Sequence, residues 1–391
     1  MSLNQSSHEQ TSLRELGFLF IKLGMTSFGG PAVHIAMMKE EVVERRNWLT
    51  ESEFLDYLGA TNLIPGPNST ELAIHIGYHR RGWPGLLIAG ACFILPAVLI
   101  VWAIAGAYVQ YGSLPQVSAI LYGIKPVVIA VVFQALWGLG HTAIKSFLLA
   151  ALSALALALT IAGFNEVAII FAAGLIMMIL RMLGSKRRET FPNKSVLIAL
   201  LSPPATKASA AIGVVGGALP IVLPQLFLIF LKIGSVLFGS GYVLVAFLQS
   251  DLVEGLHWIT QAQLLDAVAV GQFTPGPVFT TVTFIGYIIA GNAGALLATL
   301  GIFLPAFFFV AVSAPLIPKL RRSFAARAFL DGVNVASLAL MVVVTWQLGR
   351  SALVDFTTVA LALTAGFCLI RYKLNSAWLV LAGGIVGFFR L

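Results

Sequence analysis

Charge is what this sequence has least of: Asp, Glu, Lys and Arg together make up 10% of its 391 residues, against roughly 25% in a soluble domain. Such a chain cannot cover a water-soluble core. Hydrophobic residues make up 59% of it, and its mean hydropathy is +0.93. Cysteine is almost as scarce. Cys92 and Cys368 each sit inside an apolar run, which argues against a disulfide framework or a metal site and for packing. Also missing are a Walker loop, a cluster of metal ligands and a nucleophile paired with a base. No catalytic residue, metal or cofactor is therefore expected. Residues 1–15 are polar, without a basic start or a small-residue cleavage site behind them, so no removable signal peptide is expected.

What fills the chain instead is apolar runs of about 18 residues or more, for example 86–109, 117–140 and 296–318. The expected fold class is all-α: a polytopic membrane protein whose lasting partner is the lipid bilayer. The net charge of +8 gathers in short connections between apolar runs. That is the distribution of the positive-inside rule, not of a nucleic-acid surface.

Residues 22–67 repeat in 232–277 without a gap at an offset of 210. The pairs include Lys22/Lys232, Phe28/Phe238, Gly29/Gly239, Trp48/Trp258, Asp56/Asp266 and the triplets Pro65-Gly66-Pro67 and Pro275-Gly276-Pro277. After one deletion the match continues at 209 through Tyr78/Tyr287, Pro96/Pro305 and Trp137/Trp346. Apolar bias aligns Leu with Val; it does not align Trp, Asp and a Pro-Gly-Pro triplet in one register. The expected organisation is a first repeat over 12–183, a basic linker with a further apolar stretch over 184–224, and a second repeat over 225–391. Equivalent loops carry opposite charge bias: His79-Arg80-Arg81 against Gly291-Asn292, and 111–116 without a basic residue against Lys319, Arg321, Arg322 and Arg327. Read by the positive-inside rule, the repeats are inverted, an arrangement that places a substrate site at their interface near the midplane.

The first two apolar segments of each half are interrupted, at Ser27-Phe28-Gly29-Gly30-Pro31 and at Pro65-Gly66-Pro67-Asn68 in the first. If both cross, the chain spans six plus one plus six times; if both are hairpins, four plus one plus four. Such breaks cost free energy unless the freed backbone groups face protein or water. Half-helix starts attract anions. The residues that follow, Asn68, Ser69 and Thr70 in one half and Thr280 and Thr281 in the other, can donate to oxyanion oxygens without adding a trapping charge. The same pattern also suits a packing kink whose hydroxyls bond back to the helix. Lys22, Lys232 and Lys125 lie in apolar segments where an ammonium is commonly functional, although Lys22 and Lys232 can also snorkel to the interface. Glu71 and His34 are candidates for coupled protonation, with His75 one turn after Glu71 as a partner. Asp56 and Asp266 are expected to cap or orient the helices leading into the Pro-Gly-Pro turns.

The motifs Ser27-Phe28-Gly29-Gly30-Pro31-Ala32-Val33-His34, Asn47-Trp48-Leu49, Pro65-Gly66-Pro67-Asn68-Ser69-Thr70 and Ile76-Gly77-Tyr78, with Phe238-Gly239, Trp258, Thr274-Pro275-Gly276-Pro277 and Phe284-Ile285-Gly286-Tyr287, resemble the chromate ion transporter family in its long, two-domain form. One departure is Ser240, where the family's second half tends to have glycine. The resemblance implies chromate export and chromate resistance at a bacterial inner membrane, with sulfate as competitor or exchange partner and the substrate held around the motif residues, Gly239 and Ser240 included. From the sequence, the N-terminus is expected on the cytoplasmic side, and a homodimer is compatible with it. A channel and an intramembrane enzyme using Glu71, His75 or His34 are the rival readings. The duplicated feature is a backbone break and not a set of reactive groups, which favours transport.

Overall fold

The computed structural model describes residues 11–185, 219–238, 241–314 and 323–390. Among these the chain is all helical and without a strand. The first half runs α1 (Leu13–Thr26), α2 (Pro31–Lys39, prolonged by a π turn Glu40–Arg45), α3 (Glu51–Thr61), α4 (Asn68–Tyr111), α5 (Pro115–Ala143), α6 (Phe147–Ile161) and α7 (Glu166–Ser185). The second repeats it as α8 (Leu219–Val236), α9 (Val243–Leu248, with a π turn Gln249–Gly255), α10 (Gln261–Phe273), a 3₁₀ turn (Val278–Thr280) into α11 (Thr281–Ser313), α12 (Phe324–Ala352), α13 (Phe356–Tyr372) and α14 (Ser376–Phe388). Most of the 184–224 linker, Lys319, Arg321, Arg322, Gly239 and Ser240 lie outside the described residues.

The repeat is written in backbone angles as well as in sequence. Asn47 and His257 share a left-handed φ, of 51° and 53°. Capping boxes open α3 at Thr50 and α10 at Thr260. Both α4 and α11 leave helical geometry once, at Arg81-Gly82 (φ −142° and 60°) and at Ala290-Gly291 (φ −145° and 59°). Each is thus two arms: α4a (68–80) and α4b (83–111), α11a (281–289) and α11b (292–313). The arms lie back to back, because a side chain at Gly77 would strike the Gly85 carbonyl and one at Gly85 the Gly77 carbonyl; Gly286 and Gly294 repeat the contact.

The first two segments turn back instead of crossing. Glu15 at the start of α1 meets Arg46 past the end of α2 at 2.7 Å, and Lys22 meets Glu41 at 2.8 Å. Tyr57 of α3 reaches His79 at the far end of α4a, with 2.7 Å between its hydroxyl and Nδ1. The first half therefore makes two re-entrant hairpins, with tips at Ser27-Phe28-Gly29-Gly30 and Pro65-Gly66-Pro67. Their arms of 13 and 14 residues (α4a and α1), about 20 Å at 1.5 Å per residue, are too short for a hydrocarbon core of about 30 Å. The α4b arm, about 43 Å by the same rise, is long enough.

The hairpins of the two halves open on opposite sides. Trp102 donates to Asn292 at 2.8 Å, so the α11 turn lies beside a residue about 30 Å along α4b from the α4 turn. Five apolar helices are long enough to cross a membrane among the described residues: Asn68–Tyr111, Pro115–Ala143, Glu166–Leu183, Val278–Ser313 and Phe324–Ala352. Large side chains on the outside, such as Phe147, Phe356, Leu363 and Trp378, face lipid, where they need no protein partner. Cys92 and Cys368 are free and half-buried.

Opposite mouths give a direct test. In a background with Cys92 and Cys368 replaced by serine, Pro84→Cys and Ala293→Cys should react with a membrane-impermeant maleimide from opposite sides of the membrane. Labelling of both from one side would refute the inversion.

Candidate functional site

The four hairpin tips meet at the centre and are tied together by backbone hydrogen bonds between the halves. Gly66 N–H donates to the Leu237 carbonyl at 2.8 Å, and Gly276 N–H donates to the Ser27 carbonyl at 3.0 Å. Leu237 and Ser27 are repeat equivalents, so each Pro-Gly-Pro turn is held by the other half's break. Gly276 packs against Ala97 of α4b so closely that a Cβ would fall 2.7 Å from the alanine's. Gly24 and Gly234 press on Phe93 and Ile302 carbonyls beside Pro96 and Pro305. That level is near the middle of α4b and α11b.

Helices that begin at the mouths are capped by side chains, Ser12 for α1, Thr50 for α3 and Thr260 for α10. Helices that begin at the tips have no side-chain cap: α2 after Gly30, α4 after Pro67, the Val278–Thr280 turn after Pro277, and α9 after Tyr242. Uncapped amides and the positive end of a helix dipole are the groups an anion takes. Side-chain donors stand beside them unused. Thr70 Oγ1 and Gln272 Nε2 are buried and make no hydrogen bond within the protein.

Other predicted residues are already engaged. His34 is buried, its Nε2 3.1 Å from the Ser27 carbonyl and its Nδ1 3.2 Å from Ser69 Oγ. A carbonyl only accepts, so Nε2 carries the proton, and in the neutral ring Nδ1 accepts from Ser69. His34 thus pins α2 to α4 across the tip. Thr280 and Thr281 donate back to the Pro277 and Val278 carbonyls, each at 2.8 Å. Asn68 donates to Asn62 at 2.8 Å.

Neither lysine of the repeat pair points at the tips unaccompanied. Lys22 pairs with Glu41, Lys232 with Asp251 at 2.7 Å, and both side chains are about half exposed (47% and 46%). Lys125 is 3.0 Å from Asp266, whose other oxygen accepts from Tyr108 at 2.9 Å. Asp266 therefore does not cap α10; it lies inside that helix and ties it to α4b and α5. Residues missed from the sequence also border the tips. Asn375 donates to the Phe28 carbonyl at 3.1 Å, and the Tyr242 hydroxyl is 3.4 Å from Gln272 Oε1. The only advance signal was the place of Asn375 and Tyr242 at helix starts.

Two inverted repeats, with broken hairpins meeting at the midplane, make this a polytopic membrane protein of transporter architecture. The sequence model of the chromate transporter family matches residues 14–178 and 224–388. The chain is 33% identical to a chromate transport protein of Cupriavidus metallidurans, over 95% of this chain and 91% of the relative. It is 32% identical to a probable chromate transport protein of Synechococcus elongatus (92% and 90% covered), and 29% identical to a chromate transport protein of Pseudomonas aeruginosa (94% and 90%). This chain belongs to the chromate transporter family. No solved structure matches it.

Proposed function

We propose that the protein exports chromate across a bacterial inner membrane by alternating access about the crossed tips, and so confers chromate resistance. The observation that carries the reading is the reciprocal pair of bonds, Gly66 to Leu237 and Gly276 to Ser27, which surrounds uncapped helix starts with unused donors from both halves. The oxyanion takes the amides after Pro67 and Pro277, with Thr70 and Gln272 supplying side-chain donors. Lys22 and Lys232 add positive charge along the hairpin arms, shared with Glu41 and Asp251. The mouth of the first-half hairpins, with Arg45, Arg46, Arg80 and Arg81, faces the cytoplasm together with the N-terminus. A dianion leaving a negative-inside cell gains about 4.6 kcal/mol per 100 mV, enough to drive export without a second ion; exchange against sulfate is the other drive this site allows.

The test is radiolabelled chromate accumulation in inside-out vesicles under an imposed potential, with and without excess sulfate. Saturable, potential-dependent uptake is expected, with the half-saturation concentration raised about tenfold in Gln272→Leu and in Thr70→Val, since a hydrogen bond to a charged group is worth about 1.5 kcal/mol or more. Lys22→Ala and Lys232→Ala should weaken uptake further when combined. No uptake above empty vesicles would refute chromate as the substrate, and non-saturable flux would make the protein a channel.

A further inference from the structure

A ladder of titratable groups runs down one side of the first-half hairpin. Glu71, His75 and His79 are spaced i, i+4 and i+8 on α4a, which puts them on one helix face. Glu71 and His75 are fully buried, and both carboxyl oxygens and both ring nitrogens lack a hydrogen-bond partner in the protein. Glu71 lies against the tip, where a side chain at Gly66 would strike its Oε1. Tyr57 stacks on His75 with 5.7 Å between ring centres, and its hydroxyl meets exposed His79. The series thus leads from the Pro-Gly-Pro turn to the mouth where Arg80 and Arg81 stand.

The second half builds the same hairpin without any of these groups. At the repeat offset of 209, Thr280, Phe284 and Ile288 occupy the positions of Glu71, His75 and His79. Packing therefore does not require titratable side chains here. Buried, unpaired ionisable groups inside a membrane protein are costly and mark proton routes.

We propose that Glu71 is a proton-carrying site of the transport cycle, loaded through His75 and the Tyr57–His79 pair, so that one proton travels with each oxyanion; this rests on the transport reading above. An ionised Glu71 and a dianion at the same turn repel each other, so binding of the anion is linked to uptake of a proton by the carboxylate. The proton comes from solvent at His79 and leaves with the anion, and the charge moved per anion falls from two to one. The charged or titratable groups on the elements packed against α4 are Arg14, Glu15 and Lys22 of α1, His34, Lys39, Glu40, Glu41, Glu44 and Arg45 of α2 and its π turn, Glu51, Glu53, Asp56 and Tyr57 of α3, Asp266 of α10 and Tyr287 of α11. Of these, His34, Lys22, Lys39, Glu41 and Asp266 are bonded to partners other than Glu71 and His75.

The experiment uses the full chain in proteoliposomes with the potential clamped at zero, at a pH where chromate is a dianion. A pH gradient alone should drive labelled chromate accumulation. His75→Phe, the residue of the second half, should lose that response while keeping chromate-for-chromate exchange, and Glu71→Gln should lose the response too. Exchange without any effect of a pH gradient, or a His75→Phe response equal to the wild type, would overturn the proposal. Infrared spectroscopy supplies a readout that does not depend on the substrate: a carboxyl band that titrates with pH and is absent in Glu71→Gln. If chromate exchange itself is missing, the transport reading fails and this band alone decides the proton site, its absence refuting it.

Discussion

Valine at Gly85 or at Gly294 should prevent the protein from accumulating as a folded, monodisperse species. At each position a Cβ runs into the carbonyl of the facing arm, Gly77 or Gly286, and also comes within 2.8 Å of a Cβ one turn earlier, that of Arg81 or Ala290. Backbone cannot move aside as a side-chain end can. The cost should exceed the usual overpacking range of about 1–3 kcal/mol, because separating the arms also displaces the tips they hold. Size-exclusion profiles and thermal melts of the detergent-solubilised protein read the effect. Gly138→Ala is the control: no atom lies within 4 Å of the added Cβ, and alanine in that helix interior should be neutral or stabilise by up to about 1 kcal/mol. A Gly85→Val protein that melts like the wild type would mean that the two arms do not lie back to back.

The second large effect is expected at Lys125. It is the cation for Asp266, a carboxylate only 5% exposed at its side chain, and the pair joins the two halves. Lys125→Met leaves that carboxylate buried with Tyr108 as its remaining partner. Removing one member of a buried pair costs about 3–5 kcal/mol, and the melt should fall accordingly. The double variant Lys125→Met with Asp266→Leu should recover most of the loss, because replacing both charges by apolar groups is often close to neutral. The second half shows that the fold tolerates a different solution: the repeat partner of Lys125 is Asn334. No recovery in the double variant would mean that the Tyr108–Asp266 hydrogen bond, which Asp266→Leu also removes, carries the cohesion.

The breaks, the duplication and the inversion were legible because each leaves a mark that apolar bias cannot imitate: a Pro-Gly-Pro triplet, Trp and Asp in register, and Arg in one loop of each equivalent pair. Whether the first segments cross or turn back was not legible from hydropathy, since the arms of a buried hairpin are as apolar as a crossing helix. Tyr57 touching His79 decided it. Lys22 and Lys232 read as functional intramembrane cations or as lysines that snorkel, and the acidic partners that the structure gives them were present in the sequence. Glu41 and Asp251 stand 19 residues after them, themselves an acidic pair at the repeat offset of 210. Thr70 was marked by its place after Pro-Gly-Pro, but Gln272 had no such mark, because whether a buried amide finds a partner depends on how distant helices pack.

The reciprocal bonds between Gly66 and Leu237 and between Gly276 and Ser27 bear on biogenesis. During synthesis the first half reaches the bilayer before its partner exists, with the Gly66 amide still bare and the Ser27 carbonyl held by His34 alone, and a bare peptide group in hydrocarbon costs several kcal/mol. Completion of the centre must wait for the second half. For the same reason, splitting the chain between the halves would yield a working assembly only if the two polypeptides were inserted in opposite senses into one membrane, a demand that fusion into a single chain removes.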